Sequence, residues 1–262
     1  MKEPVQRFMI PSTPFRTPVL ACVLGLLVAG PGADLTARAA TAEAPSGALI
    51  RPVSDAAGSR PSSVGERFVY RWELKKLAAL LGGIFLPGEG QGLLTFEPRG
   101  DDTLLTELLI TSEHSDEGEY WRYGAEIDLS EGRATKAWSS YLWRGERDSD
   151  SAEIDEAGVI DVASGIYRIR GALPTRPLRL RIWSDGKIYP VVVQFLGDET
   201  RTLPGGRRMM ARHYRVEGRE VPGERHWKGH MDLWFARDGN ATPIEIHFDR
   251  TLIGVRLRLV PD

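Results

Sequence analysis

Between Asp161 and Phe195 the spacing of the apolar residues changes from helical to extended. The first part carries one apolar stripe at the i, i+4, i+7, i+11 spacing of a helix face, formed by Val162, Ile166, Ile169 and Leu173. Beyond Leu178, apolar and charged residues alternate, Asp185-Gly186 can turn the chain, and residues 188–195 return as a second strand. The stretch therefore predicts a helix, capped at its start by Asp161, that leads into a β-hairpin.

Alternation of apolar and polar residues recurs along most of the chain from residue 65 to residue 259. Residues 104–111 are apolar on both sides, which is typical of a central strand. Turn residues separate the runs, and we count ten to twelve strands in sequential hairpins, which predicts an antiparallel meander. Residues 148–156, acidic and rich in serine, are predicted to form a solvated hairpin loop. Residues 77–81 fit either one helical turn or the end of a buried strand.

A sheet with this many strands is expected to curl, because the twist between neighbouring strands accumulates. Its inner face needs a cover, and the helix after Asp161 has the single apolar stripe that suits this position. The predicted fold class is therefore mainly β: a curved antiparallel sheet, a half-barrel or incomplete barrel, with one helix packed on its concave face. A helix about 10 Å across cannot fill such a concavity, so we expect a residual apolar cleft.

The N-terminal residues have the pattern of an export signal. Three basic residues precede an uninterrupted apolar run at residues 19–29, which has the length of a signal-peptide core and is too short to span a bilayer. Small residues suited to cleavage follow near Ala39 and Ala42. The predicted organisation is a signal peptide at 1–39, a flexible leader at 40–63 and a single β-rich domain at 64–262. An uncut N-terminal membrane anchor is the alternative.

Cys22 is the single cysteine of the chain. The apolar run lies mostly after it, and Pro14, Arg16 and Pro18 stand before it, so we expect no lipidation at this position. Cleavage after Ala39 would leave a mature protein without cysteine and hence without disulfides. The expected compartment is the periplasm.

The charge of the mature part argues against nucleic acid as a partner. Residues 40–262 carry 30 basic and 34 acidic side chains, because the 34 basic and 36 acidic residues of the whole chain include four and two, respectively, in residues 1–39. A nucleic-acid-binding surface requires a basic excess that this segment does not have.

Four segments of the sequence carry a resemblance to a known family. They are DVASGIYRIR at 161–170, WSDGKIYPVVVQF at 183–195, WFARDGNATPI at 234–244 and IGVRLRL at 253–259. Their order and spacing resemble a bacterial exported family, the domain-of-unknown-function family 3108. The similarity covers roughly residues 65–260 and is firmest after Asp161, whereas residues 74–92 contain an insertion relative to the family.

The resemblance implies an exported, envelope-associated β-rich domain. More distantly, the layout is similar to the periplasmic lipoprotein carriers of the LolA/LolB type, in which a curved sheet holds acyl chains against a helical lid. The family has no established catalytic residues, so the resemblance implies none in this chain.

Few residues have a spacing that suits catalysis or metal binding. His226 and His230 have the i, i+4 spacing of metal ligands, but on a strand they would lie about 13 Å apart, too far to share an ion. The sequence contains no nucleophile elbow, His-Glu-x-x-His motif or Gly-rich phosphate loop. Carboxylate pairs such as Asp101-Asp102 fall in polar loops, where they would be solvated. We therefore expect no catalytic residues, no metal and no cofactor.

Aromatic residues on the inward strand faces give the remaining indication of function. The chain has seven tryptophans, which could either fill the core or line a cleft for an apolar ligand. From strand parity, the predicted ligand-binding wall consists of Phe68, Tyr70, Trp72, Leu178, Leu180 and Ile182.

The main functional hypothesis is a monomeric, non-enzymatic envelope protein that binds a lipid or an acyl chain. One alternative is a protein–protein interaction module that docks an envelope partner through strand edges or outward aromatic residues such as Trp183 and Trp234. The other alternative is an uncharacterised hydrolase.

Overall fold

The computed structural model describes residues 65–74, 89–113, 118–143, 145–250 and 253–261. The predicted signal peptide, the leader and the ambiguous segment at 77–81 lie outside the described residues. None of the helices in the described ranges is long and apolar enough to cross a membrane.

Thirteen strands and one α-helix form the described part of the chain. The strands are β1 (Glu66–Leu74), β2 (Glu89–Pro98), β3 (Thr103–Ser112), β4 (Tyr120–Asp128), β5 (Arg133–Trp143), β6 (Glu146–Glu153), β7 (Val159–Ile160), β8 (Leu178–Ser184), β9 (Lys187–Thr202), β10 (Arg208–Gly218), β11 (His230–Ala236), β12 (Pro243–Arg250) and β13 (Ile253–Leu259). The helix, α1, spans Val162–Ala172 between β7 and β8.

All thirteen strands belong to one sheet, in which the first strand lies in the middle. The order is β6-β5-β4-β3-β2-β1-β13-β12-β11-β10-β9-β8-β7, so β1 pairs with both β2 and β13. The chain winds outward from β1 to β6, passes through α1, and returns from β7 to β13. Neighbouring strands are antiparallel except β7 and β8, which flank the helix and are parallel.

The sheet is curved and open. Strand β5, next to one end of the sheet, contacts β7 and β8 at the other end, so the two ends approach each other without pairing. The helix lies inside this curve and packs on β3 and β4 from one half of the sheet and on β8 from the other half. This arrangement confirms the predicted half-barrel with one helix on its concave face.

Two strands were not recognised in the sequence, and the predicted loop at 148–156 is wrong. Residues 146–153 form β6, an end strand that pairs with β5 along its whole length. Its side chains are exposed except for Ala152, which is half-buried, so no apolar alternation reveals the strand. Charged side chains on an end strand also hinder pairing with another molecule. Strand β7 has only two residues and is too short for any periodicity.

The buried face of the helix forms the middle of the core. Val162, Ile166 and Ile169 are buried, which confirms the predicted apolar stripe. The fourth residue of the stripe, Leu173, caps the C-terminus of the helix in a left-handed conformation (φ 39°) and is partly buried. Around the helix, the inner face of the sheet contributes large buried side chains, among them Tyr70, Trp72, Phe96, Leu108 and Trp121.

Replacement of Ile166 by alanine tests the role of the helix stripe. Ile166 is fully buried, so Ile166→Ala should lower the free energy of unfolding by about 2–5 kcal/mol, measured by urea denaturation. The control is Met210→Ala, at a side chain that is 49% exposed, for which we expect a change within about 0.5 kcal/mol. Equal effects of the two substitutions would contradict a helix packed on the concave face.

Candidate ligand-binding cleft

Asp161 fixes the beginning of the helix inside the sheet. Its carboxylate accepts hydrogen bonds from the backbone N–H groups of Ala163 (3.1 Å) and Ser164 (2.9 Å), and also from the Ser164 hydroxyl. The predicted N-cap is therefore confirmed. Thr106, on β3, donates to Asp161 Oδ1 at 3.3 Å, and its hydroxyl lies 2.7 Å from the Ser164 hydroxyl. Burial raises the pKa of Asp161, although the hydrogen bonds from Ser164 partly offset this effect.

Arg170 fixes the other end of the helix. Its guanidinium donates to both carboxylate oxygens of Glu66 at 2.5 and 2.7 Å, and to the carbonyl oxygen of Asn240. It also lies 5.4 Å from the centre of the Phe68 ring. The helix is thus held at both ends, by β3 at its start and by β1 and Asn240 at its end.

A small apolar cleft, with a cavity volume of about 30 Å³, lies between the helix and strands β8–β12. Its lining consists of Val162, Gly165, Ile169, Leu180, Ile182, Ser184, Tyr189, Val191, Val216, Trp227, Met231 and Phe248. This volume has room for about two water molecules, whereas ligand pockets typically enclose about 300–1,000 Å³. The lining of the cleft fits an apolar ligand, and a lipid chain would enter only if the helix and the strands moved apart.

Gly165 lets the helix lie close to the wall of the cleft. A β-carbon at this position would be 3.3 Å from the Cδ1 atom of Ile182, a tight contact. The lack of a side chain also leaves free space between Val162 and Ile169 on the cleft side of the helix. Glycine in a helix interior costs roughly 0.5–1 kcal/mol relative to alanine, and here it keeps the cleft from being filled.

Trp227 reaches the cleft from the loop between β10 and β11. The backbone of this loop lies directly against Gly218, where a β-carbon would be only 2.1 Å from the carbonyl oxygen of Trp227. The Trp227 side chain is buried although it belongs to a loop. Its indole N–H has no hydrogen-bond partner among the described residues. An unpaired buried donor costs about 1–3 kcal/mol.

The six predicted wall residues occupy different places. Leu180 and Ile182 line the cleft, and Leu178 is partly buried beside the core without lining the cleft. Tyr70 and Trp72 are buried on β1, where the Tyr70 hydroxyl donates to Pro243 O (2.7 Å) and the Trp72 indole donates to Thr111 O (2.8 Å). Phe68 packs against Phe96 at the edge of the core. Contact of these residues with a ligand stays a prediction.

Trp183 and Trp234, the residues expected to face outward, are both buried. Trp183 is 3% exposed and belongs to the main core, close to where the two ends of the sheet meet. Trp234 is 4% exposed on the outer face, where three side chains cover it. His213 stacks on its ring at 4.3 Å, Arg201 lies 4.4 Å from the ring centre, and His247 lies 4.5 Å away. The prediction of an exposed aromatic docking surface at these residues is therefore wrong.

Asp185, in the turn between β8 and β9, connects the cleft wall to the opposite end of the sheet. Asp185 and Gly186 both have positive φ angles (47° and 69°), as in a type I′ hairpin turn, and the turn predicted at these residues is confirmed. The neighbouring Ser184 lines the cleft, and its hydroxyl donates to Asp185. Burial raises the pKa of Asp185 to about 6, and repulsion from Asp150 on β6 adds to the effect, against hydrogen bonds from Ser139 and Ser184.

The arrangement is that of a barrel-like open sheet with an apolar cleft beside an internal helix. Residues 113–260 match the family described as "Protein of unknown function (DUF3108)". Because this match spans more than half of the chain, the protein belongs to that family, which confirms the family resemblance seen in the sequence. No curated protein matches the sequence.

Comparison with solved structures identifies similar folds at low sequence identity. One is a beta-barrel-like protein of the domain of unknown function DUF1849 from Brucella abortus, with a TM-score of 0.51 and 10% identity over 76% of this chain and 96% of that one. A further match is the hypothetical lipoprotein YmcC from Escherichia coli, with a TM-score of 0.31 and 12% identity over 77% of this chain and 90% of that one. Another is LprF from Mycobacterium bovis, with a TM-score of 0.22 and 13% identity over 74% of this chain and 83% of that one. The Brucella structure shows that this fold occurs elsewhere.

Replacement of Asp185 by asparagine should stabilise the protein in a pH-dependent manner. The pKa of Asp185 is about 6 in the folded protein and about 3.9 in an unfolded chain, so the folded state binds the proton more tightly and loses stability as the pH rises from about 4 through 6. Asparagine tolerates the left-handed conformation and carries no charge. Asp185→Asn should raise the free energy of unfolding by about 1–2 kcal/mol at pH 7.5 and much less at pH 4.

Urea denaturation at both pH values measures this difference, with Asp148→Asn on the exposed end strand β6 as the control. The control should change stability by the same small amount at each pH. A gain for Asp185→Asn that is as large at pH 4 as at pH 7.5 would contradict a raised pKa as its cause.

Proposed function

We propose that the protein is an exported, non-enzymatic protein of the bacterial cell envelope that binds a hydrophobic ligand, such as a lipid or a lipoprotein acyl chain. The observation that carries this proposal is the apolar lining of the cleft between α1 and β8–β12, which would hold the hydrocarbon part of a ligand once the cleft has widened. The predicted signal at residues 1–39 supports the periplasm as the compartment.

The chemistry of the cleft favours binding over catalysis. Among the described residues, its lining includes no histidine, cysteine, aspartate or glutamate, the side chains that most often act as acids, bases or nucleophiles. The hydroxyl of Ser184 donates to Asp185 at the edge of the cleft, and no histidine is available there to activate it. This composition supports a ligand that is held and released unchanged.

The part of the ligand inside the cleft should be hydrocarbon. The atoms that face the cleft are apolar, and aliphatic side chains such as Val191 and Val216 would contact the chain of the ligand. A single-chain lipid supplies such a hydrocarbon part.

The alternative of a protein-docking module receives less support. Trp183 and Trp234 are buried, so they cannot anchor a partner without rearrangement. The end strand β6 is exposed, but it carries Glu146, Arg147, Asp148, Asp150 and Glu153, and such charges disfavour the addition of another strand.

Filling the cleft should weaken ligand binding. Ile182 lies in the wall and is only partly buried, so Ile182→Trp places a larger side chain into the cleft. We expect the affinity for 1-myristoyl-lysophosphatidylcholine, titrated calorimetrically below its critical micelle concentration, to fall by about tenfold or more, which corresponds to a loss of about 1.4 kcal/mol.

The matched control is Val192→Trp, which adds the same side chain on the opposite face of β9. Val192 is absent from the lining, whereas its neighbour Val191 belongs to it. The control should bind the lysolipid as the wild type does. The proposal would be abandoned if the wild type did not bind the lysolipid or carry any lipid in native mass spectrometry, or if both variants lost affinity equally.

A further inference from the structure

A second group of chemically reactive side chains lies on the outer face of the sheet, directly behind the cleft. His230 and Asp232 belong to β11 and Asp249 to β12. His230 is paired with Asp249 across the two strands, and Asp232 follows two residues later on the same face. Met231, which lies between His230 and Asp232, and Phe248, which precedes Asp249, point the other way and line the cleft.

The distances in this group suit a shared cation better than direct hydrogen bonds. His230 Nε2 lies 3.5 Å from Asp232 Oδ2 and 3.4 Å from Asp249 Oδ2, and one donor atom from each residue lies within 4.8 Å of the others. N–H···O hydrogen bonds are normally about 2.7–3.2 Å long. A tetrahedral zinc ion with bonds of about 2.0–2.2 Å would separate its nitrogen and oxygen ligands by about 3.3–3.6 Å.

Asp232 is oriented by residues of the neighbouring strand β10. Its Oδ1 atom lies 3.0 Å from His213 Nε2 and accepts a hydrogen bond from Arg215 Nε at 2.8 Å. Outer partners of this kind fix the orientation of a metal ligand.

Arg215 also limits the strength of the site. Its Nη2 atom donates to Asp232 Oδ2 at 3.1 Å, so a cation bound at this oxygen would lie near a guanidinium charge. The side chains of His230 and Asp249 are 35% and 17% exposed, which leaves space for water to complete the coordination. These features predict moderate rather than very tight binding.

We propose that His230, Asp232 and Asp249 form a binding site for a divalent transition-metal cation, best represented by Zn²⁺. One imidazole nitrogen and two carboxylate oxygens favour such ions over Mg²⁺ and Ca²⁺, which take oxygen ligands only. His226, the other member of the i, i+4 pair in the sequence, is exposed in the preceding loop and does not belong to the group. Instead, the pairing of β11 with β12 places Asp249 beside His230, and Asp232 lies two residues further along β11.

Calorimetric titration of the untagged, metal-free protein with ZnCl₂ at pH 7.5 tests the site. We expect one Zn²⁺ per chain with a dissociation constant on the order of micromolar, and little heat from MgCl₂ at the same concentrations. His230→Ala and Asp249→Asn should each weaken zinc binding by about tenfold or more. His226→Ala, which removes a histidine four residues away, should bind zinc as the wild type does.

Circular dichroism of each variant shows whether it is folded, and two separate ligand variants keep the test valid if one of them does not fold. The proposal would be overturned if zinc bound with unchanged affinity after both ligand substitutions, if His226→Ala weakened binding as much as His230→Ala, or if the wild type gave no heat with ZnCl₂. Because the site does not share a side chain with the cleft, these outcomes are independent of lysolipid binding.

Discussion

The structure depends on the hydrogen bonds that Asp161 makes at the start of the helix. An N-cap of this kind contributes about 0.5–2 kcal/mol to a helix, but here it also determines where the helix lies. The carboxylate joins the first turn of the helix to Thr106 on β3, while Arg170 joins the last turn to Glu66 on β1. The two ends of the helix are therefore tied to β3 and β1, and Arg170 and the preceding strand β7 tie it to the other half of the sheet as well, through Asn240 and β8.

The cleft lies on the side of the helix that faces β8–β12. Ile166, at the centre of the apolar stripe, is fully buried, whereas Val162 and Ile169 of the same stripe line the cleft. Strand β8 lies close to the helix at Gly165, and the strands beyond it turn apolar residues toward the small space that the helix leaves. Successive residues of these strands point to opposite faces of the sheet: Met231, for example, faces the cleft and Asp232 faces the outer surface.

Much of this architecture can be predicted from local patterns in the sequence. The spacing from Val162 to Ile169, the Asp185-Gly186 turn and the alternation in β1 each identify an element correctly, because each pattern reflects burial on one side. Burial leaves no such pattern in β6, which is held only by its backbone pairing with β5. The alternation of residues along a strand also does not predict that Trp183 and Trp234 are buried. The side chains that bury them come from neighbouring strands or from segments distant in sequence.

The functional residues were only partly accessible from the sequence. The alternation of apolar and charged residues in β8 predicts that Leu180 and Ile182 face inward. Trp227 lies in a loop, where no periodicity indicates which way a side chain points. The grouping of His230 with Asp249 depends on the register between β11 and β12, which a spacing rule along one strand does not contain. Contacts between segments distant in sequence therefore decide both candidate sites.

The most direct test is methyl NMR of the protein during titration with a single-chain lysolipid. An open apolar cleft predicts saturable shifts of the methyl signals of Val162, Ile169, Leu180, Ile182, Val191 and Val216. The exposed methyl groups of Val69, Leu196 and Met210 should not change. Shifts confined to these three surface residues, or no saturable shift at all, would contradict a ligand-binding space between the helix and the sheet.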